Sequence, residues 1–219
     1  MPAESTRAIS QPKRRNLSMR RHPSQARARR TYDTVLEAAV ALIESEGVER
    51  ATTRRIALAA GVSIGAVYEY FPNKESIVLH LGTDWLRRIR EIVEALHPSQ
   101  SAIPDLLGYL NRGLDAVERL YRDQPGVLAI VRLIGAIPQL REAEQAHDAA
   151  VIASMATAML HFSPGADPAE AESAASCIII MGHGVLSACL VAQPAESLRL
   201  LRMLRVAIYA LASSILLPP

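Results

Sequence analysis

Two threonines and two arginines at positions 52–55 have the chemistry to bind a nucleic acid. A guanidinium such as that of Arg54 or Arg55 can donate two hydrogen bonds to a guanine edge, or it can bind a phosphate. The hydroxyl of Thr53 can bind a phosphate if it lies at a helix start, where backbone N–H groups are free. Simple helix capping by Thr53 and solvation of both arginines are the alternatives.

The residues that follow predict two short helices joined by a tight turn. Thr52 or Thr53 can cap the first helix, and Ser63 can cap the second or bind a phosphate. Gly61 lies between them, where glycine can take a positive φ at little steric cost. Together these signals at this spacing predict a helix-turn-helix that reads DNA.

The start of the second helix offers almost no hydrogen-bonding side chains. Ile64, Gly65 and Ala66 would approach the bases closely, and apolar contact with thymine methyl groups is the chemistry they allow. So small an apolar surface gives little base specificity by itself. We therefore expect neighbouring basic residues to add to recognition.

Composition predicts an all-α protein. Hydrophobic residues make up 50% of the 219 residues and aromatic residues 4%, so the core must be mostly aliphatic. Helical periodicity recurs along the chain, with proline at or near the predicted helix starts. The predicted helices cover about 31–46, 53–60, 63–70, 74–96, 102–122, 125–137, 139–161, 168–192 and 195–216.

Three regions follow from this pattern. Residues 1–30 carry nine basic side chains and one acidic one, which favours a disordered arm. That arm is either a solubilising tail or a segment that contacts DNA phosphates or a minor groove. Residues 31–76 form the predicted helix-turn-helix head, and residues 77–219 form a larger helical body.

The location expected for this chain is the cytoplasm. Cys177 and Cys189 provide no disulfide framework, and the N-terminus has no apolar stretch typical of a secretion signal. Residues 177–192 are the most apolar run, but the run is short for a membrane span and contains His183. A buried core helix is the better interpretation, so we expect no membrane partner.

The head resembles the TetR (tetracycline repressor) family of bacterial transcriptional regulators. The resemblance covers about residues 31–80. It lies in the Leu-Glu-Ala-Ala helix and Glu46-Gly47-Val48, then in Thr53-Arg54-Arg55-Ile56-Ala57, Ala60-Gly61-Val62-Ser63, Tyr68-Glu69-Tyr70-Phe71 and Lys74-Glu75.

The resemblance implies a function and a set of contacts. It implies a homodimer, formed through the last two helices, whose two heads bind a double-stranded operator in successive major grooves. Arg54 would reach base edges, and Tyr68, Tyr70 and Lys74 would contact phosphates; Tyr70 could instead be a core residue. Arg55 would lie on phosphate or in solvent. A small molecule in the body would release the repressor from DNA.

The body offers weaker clues. Its candidate ligand residues are polar or soft side chains in apolar surroundings, with core or surface positions as the alternative. These are Tyr109, Asn111, Arg132, His147, Met155, Met159, Met181 and His183. The last helix carries an apolar stripe that suits either a dimer interface or the internal core: Leu198, Leu201, Leu204, Ile208, Leu211 and Ile215.

Catalytic and metal chemistry have little support in the sequence. No phosphate-binding glycine loop, nucleophile elbow or paired-histidine motif occurs, so we predict no catalytic residue and no cofactor. Cys177, His183 and Cys189 would point to different faces of one helix, so they do not form a metal site. An architectural DNA-binding protein without a small-molecule effector is the main alternative function.

Overall fold

The described part of the chain is entirely helical. The computed structural model describes residues 17, 19–21, 23–134 and 137–216, and these form nine α-helices. This confirms the all-α fold. The helices are α1 (Ala26–Glu46), α2 (Thr53–Ala59), α3 (Ile64–Tyr70), α4 (Lys74–Leu96), α5 (Leu106–Asp123), α6 (Val127–Ile134), α7 (Pro138–Phe162), α8 (Pro168–Cys189) and α9 (Pro194–Leu216).

Two helix starts, those of α1 and α5, differ from their predicted positions by more than two residues. Helix α1 begins at Ala26, because the residues between it and Thr31 are alanine and arginine, both strong helix formers. The prediction of a disordered arm is therefore wrong for residues 26–30, while residues 1–16 lie outside the described residues. Helix α5 begins after Asp105, whose carboxylate accepts a hydrogen bond from the Gly108 N–H at 2.6 Å.

The head has its own core, built by α1, α2, α3 and the first turns of α4. Val35, Val67, Phe71 and Ile77 are fully buried there. Gly61 takes a φ of 65° at the turn between α2 and α3, as the sequence predicted. The head is thus a separate packing unit that fixes the angle between its two short helices.

Helices α4 and α6 connect the head core to the body core. Ile77 of α4 is buried in the head, whereas Trp85 and Ile89 of the same helix are buried in the body. Helix α6 buries Ile130 in the body and packs Leu133 against the head. A movement of either helix must therefore change the packing of both cores.

Helix α8 is less buried than its composition suggested. Among the described residues it alone is long and apolar enough to cross a membrane, and 22% of its most apolar window is buried. The prediction of a buried core helix is therefore wrong for its outward face. Cys177 is exposed on that face and Cys189 is half-buried. Length and composition are weak evidence for a membrane span, since the helices of soluble proteins can meet the same criteria.

Candidate DNA-binding surface and ligand cavity

Both short helices of the turn are capped by hydroxyl groups. The Thr52 hydroxyl accepts a hydrogen bond from the Arg55 N–H at 3.3 Å, and the Ser63 hydroxyl accepts one from the Ala66 N–H at 3.2 Å. Thr53 is the first residue of α2, and its hydroxyl lies 3.2 Å from the Tyr68 hydroxyl. The two helix starts therefore present hydroxyl groups at one exposed surface.

The start of α3 forms a nearly flat surface beside an unpaired arginine. Ile64 is 42% exposed, and a Cβ added at Gly65 would meet only the Ser63 hydroxyl, at 3.7 Å. Packing within the chain therefore does not require glycine at this position. Arg54 is exposed and forms no hydrogen bond or ion pair with another described residue, so its guanidinium is available to DNA.

Two of the predicted phosphate contacts are engaged within the chain. Arg55 binds both carboxylate oxygens of Glu46, at 2.7 and 2.5 Å, and this hydrogen bonding holds the pKa of Glu46 below its usual value. Lys74 binds the Glu49 carboxylate at 3.2 Å and the Val48 carbonyl at 3.3 Å. Arg55 thus joins the end of α1 to α2, and Lys74 joins the loop after α1 to the start of α4.

Tyr70 is a core residue, and the prediction that it contacts phosphate is wrong for this conformation. Its side chain is 2% exposed, and its hydroxyl donates to the Ala28 carbonyl at 3.2 Å. Its ring packs edge-on against Tyr32. Tyr68, by contrast, is 38% exposed beside Thr53 and remains a candidate contact.

Arg20 and Arg21, which precede α1, lie along the end of α3, the recognition helix of the helix-turn-helix. The Arg20 N–H donates to the Tyr70 carbonyl at 2.8 Å, and its guanidinium donates to the Tyr68 carbonyl at 3.1 Å. Arg21 forms an ion pair with Glu69 at 3.1 Å. This pair gives a partner to Glu69, whose carboxylate would otherwise repel DNA phosphates from this helix. No local signal links residues 48 positions apart.

A cavity opens among α4, α5, α7 and α8 in the body. The volume of this cavity is about 890 Å³ when its open mouth is included. Of the predicted ligand residues, four line this cavity: Tyr109, His147, Met155 and His183.

The other four predicted ligand residues do not line the cavity. Asn111 instead accepts hydrogen bonds from Arg205 at 3.0 Å and Tyr209 at 2.9 Å, and Arg132 is exposed on α6. Met159 is fully buried in the core. These three assignments, and that of Met181, are wrong for this cavity. The sequence could place them on helices but could not tell which face points inward.

Several polar residues of the cavity lining were not predicted from the sequence. The Tyr121 hydroxyl lies 2.9 Å from His183 Nδ1, and the Tyr121 ring packs edge-on against Trp85 with centroids 5.0 Å apart. Glu144 and Asp148 lie one turn apart on α7 and also line the cavity. A weak signal was present, since residues 144, 148, 151 and 155 share one face of a helix.

Burial shifts the pKa values of these groups. It raises the pKa of Glu144, which Asp148 raises further while Arg141 lowers it, and it also raises the pKa of Asp148. Burial lowers the pKa of His147 to about 4 and lowers that of His183. Both imidazoles are therefore neutral near pH 7. No group of three His, Cys, Asp or Glu residues among those described could hold a metal ion.

Family models match both parts of this architecture. Residues 35–81 match the model of bacterial regulatory proteins of the tetR family, and residues 105–211 match that of the tetracyclin repressor-like C-terminal domain. The chain belongs to the TetR family. It is therefore a DNA-binding transcriptional regulator with a helix-turn-helix, as the sequence predicted.

Individual relatives match smaller parts of this TetR-family chain. The nucleoid occlusion factor SlmA of Haemophilus ducreyi is 52% identical over 44 residues, which are 20% of this chain and 22% of SlmA. The transcriptional repressor KstR2 of Mycolicibacterium smegmatis is 30% identical over 112 residues, 47% of this chain and 52% of KstR2. A solved SmeT–triclosan complex shares the fold, with a TM-score of 0.61, 22% identity, and coverage of 84% of this chain and 90% of SmeT.

Proposed function

We propose that this chain is a repressor that releases its operator when a small molecule enters the body cavity. The observation that carries the proposal is the position of the cavity against α4, whose Trp85, Leu86 and Ile89 line it. The same helix begins in the head core. A ligand that displaces α4 would therefore also displace α3 and change the fit of the head to DNA.

The contacts between head and body support this coupling. A Cβ at Gly82 of α4 would lie 2.5 Å from Leu140 of α7, so the two helices cross in very close contact. The Gly126 N–H, just before α6, donates to the Glu44 carboxylate of α1. Close-packed contacts of this kind transmit small displacements instead of absorbing them.

The proposed active form is a homodimer through α8 and α9. Both helices carry an exposed stripe at the spacing of a coiled coil, and Ile180, Met203 and Val206 in it are 70%, 52% and 56% exposed. Of the apolar stripe predicted on α9, Leu204, Ile208 and Ile215 are buried in the chain's own core, which was the alternative to a dimer interface, whereas Leu198 is 71% exposed. The outward stripes are Ser173, Cys177, Ile180, Gly184 and Ala188 on α8 and Arg199, Met203, Val206, Ala210 and Ser213 on α9.

On this proposal the head contacts DNA through Thr53, Arg54, Ser63, Tyr68 and the start of α3, in the cytoplasm. Residues 1–16, which lie outside the described residues, would add contacts to phosphates through their basic side chains. Deleting residues 1–16 should lower operator affinity and flatten its salt dependence, because the slope falls by about 0.9 for every phosphate that the protein no longer neutralises. An unchanged slope would show that this segment is a tail.

The proposal is tested by finding the operator and then the effector. A genome-wide footprint of the purified protein gives the bound sites, and a reporter placed behind such a site measures repression in cells. Deleting the gene should raise reporter expression, and a compound that enters the cavity should do the same in its presence. Expression that falls on deletion would show an activator.

The SlmA match favours a second candidate, a DNA-organising protein without a small effector. That match lies within about a fifth of each chain. An organising protein should keep the same operator affinity with every compound that binds the cavity. The cavity and its contact with α4 favour the regulated repressor.

A further inference from the structure

The cavity lining contains two carboxylates and two histidines but, among the described residues, no lysine or arginine. The carboxylates are those of Glu144 and Asp148. Arg141 and Arg90 influence Glu144 and His147 from outside the cavity. An anionic ligand would therefore meet two carboxylates at the polar side of the cavity and no opposite charge.

Both carboxylates lack a partner within the described part of the chain. Glu144 and Asp148 are half-buried, and neither accepts a hydrogen bond or forms an ion pair there. Folding has already removed much of their hydration and placed them at (i, i+4) on one helix, where like charges repel. A cation that arrives between them would relieve this repulsion and pair two carboxylates whose hydration is already reduced.

Two buried nitrogen atoms in the same cavity are also without partners. His147 is 5% exposed and Trp85 is 1% exposed, yet His147 Nδ1 and Trp85 Nε1 have no hydrogen-bond partner. Buried polar atoms are nearly always paired, so these point to a bound molecule or water. With its ring proton on Nε2, His147 can accept a hydrogen bond at Nδ1 from a ligand N–H.

The rest of the lining suits an apolar ligand with a cationic end. Trp85 and Tyr121 form an aromatic wall in contact with each other, and aromatic rings attract cations through their π faces. Most of the remaining lining residues are aliphatic, for example Leu110, Val117 and Ile178.

We propose that the effector is a lipophilic cation, whose protonated nitrogen lies between the Glu144 and Asp148 carboxylates and donates to His147 Nδ1. This deepens the proposed function and rests on it. The apolar part of the molecule packs against Trp85 and the aliphatic wall. Its binding places a positive charge beside α7 and an apolar group against α4.

Three compounds that share one carbon skeleton and differ in terminal charge separate the contribution of charge to binding from that of apolar contact. They are 4-phenylbutylamine, 4-phenylbutanol and 4-phenylbutanoate. Trp85 is the only tryptophan of the chain and lines the cavity, so its fluorescence reports binding there directly. At neutral pH the amine should bind on the order of ten-fold more tightly than the alcohol, and the carboxylate should bind most weakly. Tightest binding of the carboxylate, or no change at Trp85 with any probe, overturns the proposal.

A double variant tests the two carboxylates. Glu144→Gln with Asp148→Asn should reduce the affinity for the amine to that for the alcohol, while the affinity for the alcohol stays unchanged and shows that the cavity is intact. Glu142→Gln, on the exposed side of α7, removes one negative charge from the same helix and should change neither affinity. If the amine keeps its advantage in the double variant, these carboxylates do not hold the cation.

Operator release separates this proposal from the repressor proposal. If the alcohol or the carboxylate binds best and still releases the operator, the proposal of regulation through the cavity holds, but the proposal that the effector is a cation is wrong. If the three probes bind in the expected order and the operator stays bound, the ligand class stands and the regulation is wrong.

Discussion

The surroundings of the recognition helix α3 and the cavity of the body differ in how their charged side chains are paired. Around the recognition helix, charges are paired within the chain, as in Arg55–Glu46, Lys74–Glu49 and Arg21–Glu69. In the body cavity, Glu144 and Asp148 have no such partners among the described residues. A DNA-binding head must hold one rigid shape for a fixed partner. A ligand cavity must keep unpaired groups for its ligand to complete.

The largest effect should come from separating the two heads. Ile180→Glu places a charge in the most exposed part of the apolar α8 stripe, so it should convert the dimer to a monomer. Operator affinity should fall by about 10²-fold or more, because two linked heads gain that much over one. Sedimentation and operator titration measure the two changes.

Leu107→Glu is the matched control for this variant. Leu107 is an apolar residue of α5 that is 38% exposed, and it lies outside the proposed interface. It should leave both the dimer and operator affinity unchanged. If the Ile180→Glu protein remained a dimer, the dimer interface would not include this part of α8.

The next largest effect should distinguish the two adjacent arginines of α2. Arg54→Ala should cost about 1–3 kcal/mol of operator binding and relax base preference, because its guanidinium is free to pair with a base. Arg55→Ala should leave base preference unchanged and change stability little, since its pair with Glu46 is exposed to solvent. Equal loss of base preference in both variants would contradict this assignment.

Sequence predicted the head better than the body for a physical reason. Caps, turn glycines and short helices are local signals, so Thr52, Gly61 and Ser63 could be placed before any contact was known. The cavity depends on which faces of four long helices converge, and Asn111 or Met159 looked as suitable as Tyr109. Glu144 and Asp148 look like ordinary surface charges until packing brings them inward. The contact of Arg20 with α3 is likewise non-local.

In the proposed mechanism the head and the body cavity are coupled where α4 crosses α7. A substitution of Gly82, which lies at this crossing, tests how closely the two helices pack. Gly82→Ala should reduce the free energy of unfolding by about 1–3 kcal/mol, because the new Cβ overlaps the fully buried Leu140.

Gly113→Ala gives the opposite sign as a control for Gly82→Ala. Gly113 lies inside α5, where a Cβ meets no atom within 4 Å, so alanine should stabilise by about 0.5–1 kcal/mol. Denaturant unfolding checks both. Stabilisation by Gly82→Ala would show that the crossing can relax, and it would weaken the proposed coupling.

The effect confined to acidic pH concerns proton uptake by His147, whose Nδ1 has no hydrogen-bond partner. Its pKa is lowered to about 4 by burial, with smaller contributions from Arg90 and His183. An unfolded chain takes up this proton near pH 6.5. Stability that is present above pH 6.5 should therefore be lost as the pH falls towards 4. His147→Gln removes this site in both states, so thermal melts should show a flatter loss over that range. An equally steep loss would mean that the ring is paired or exposed in solution, which would remove the acceptor that the cationic ligand needs.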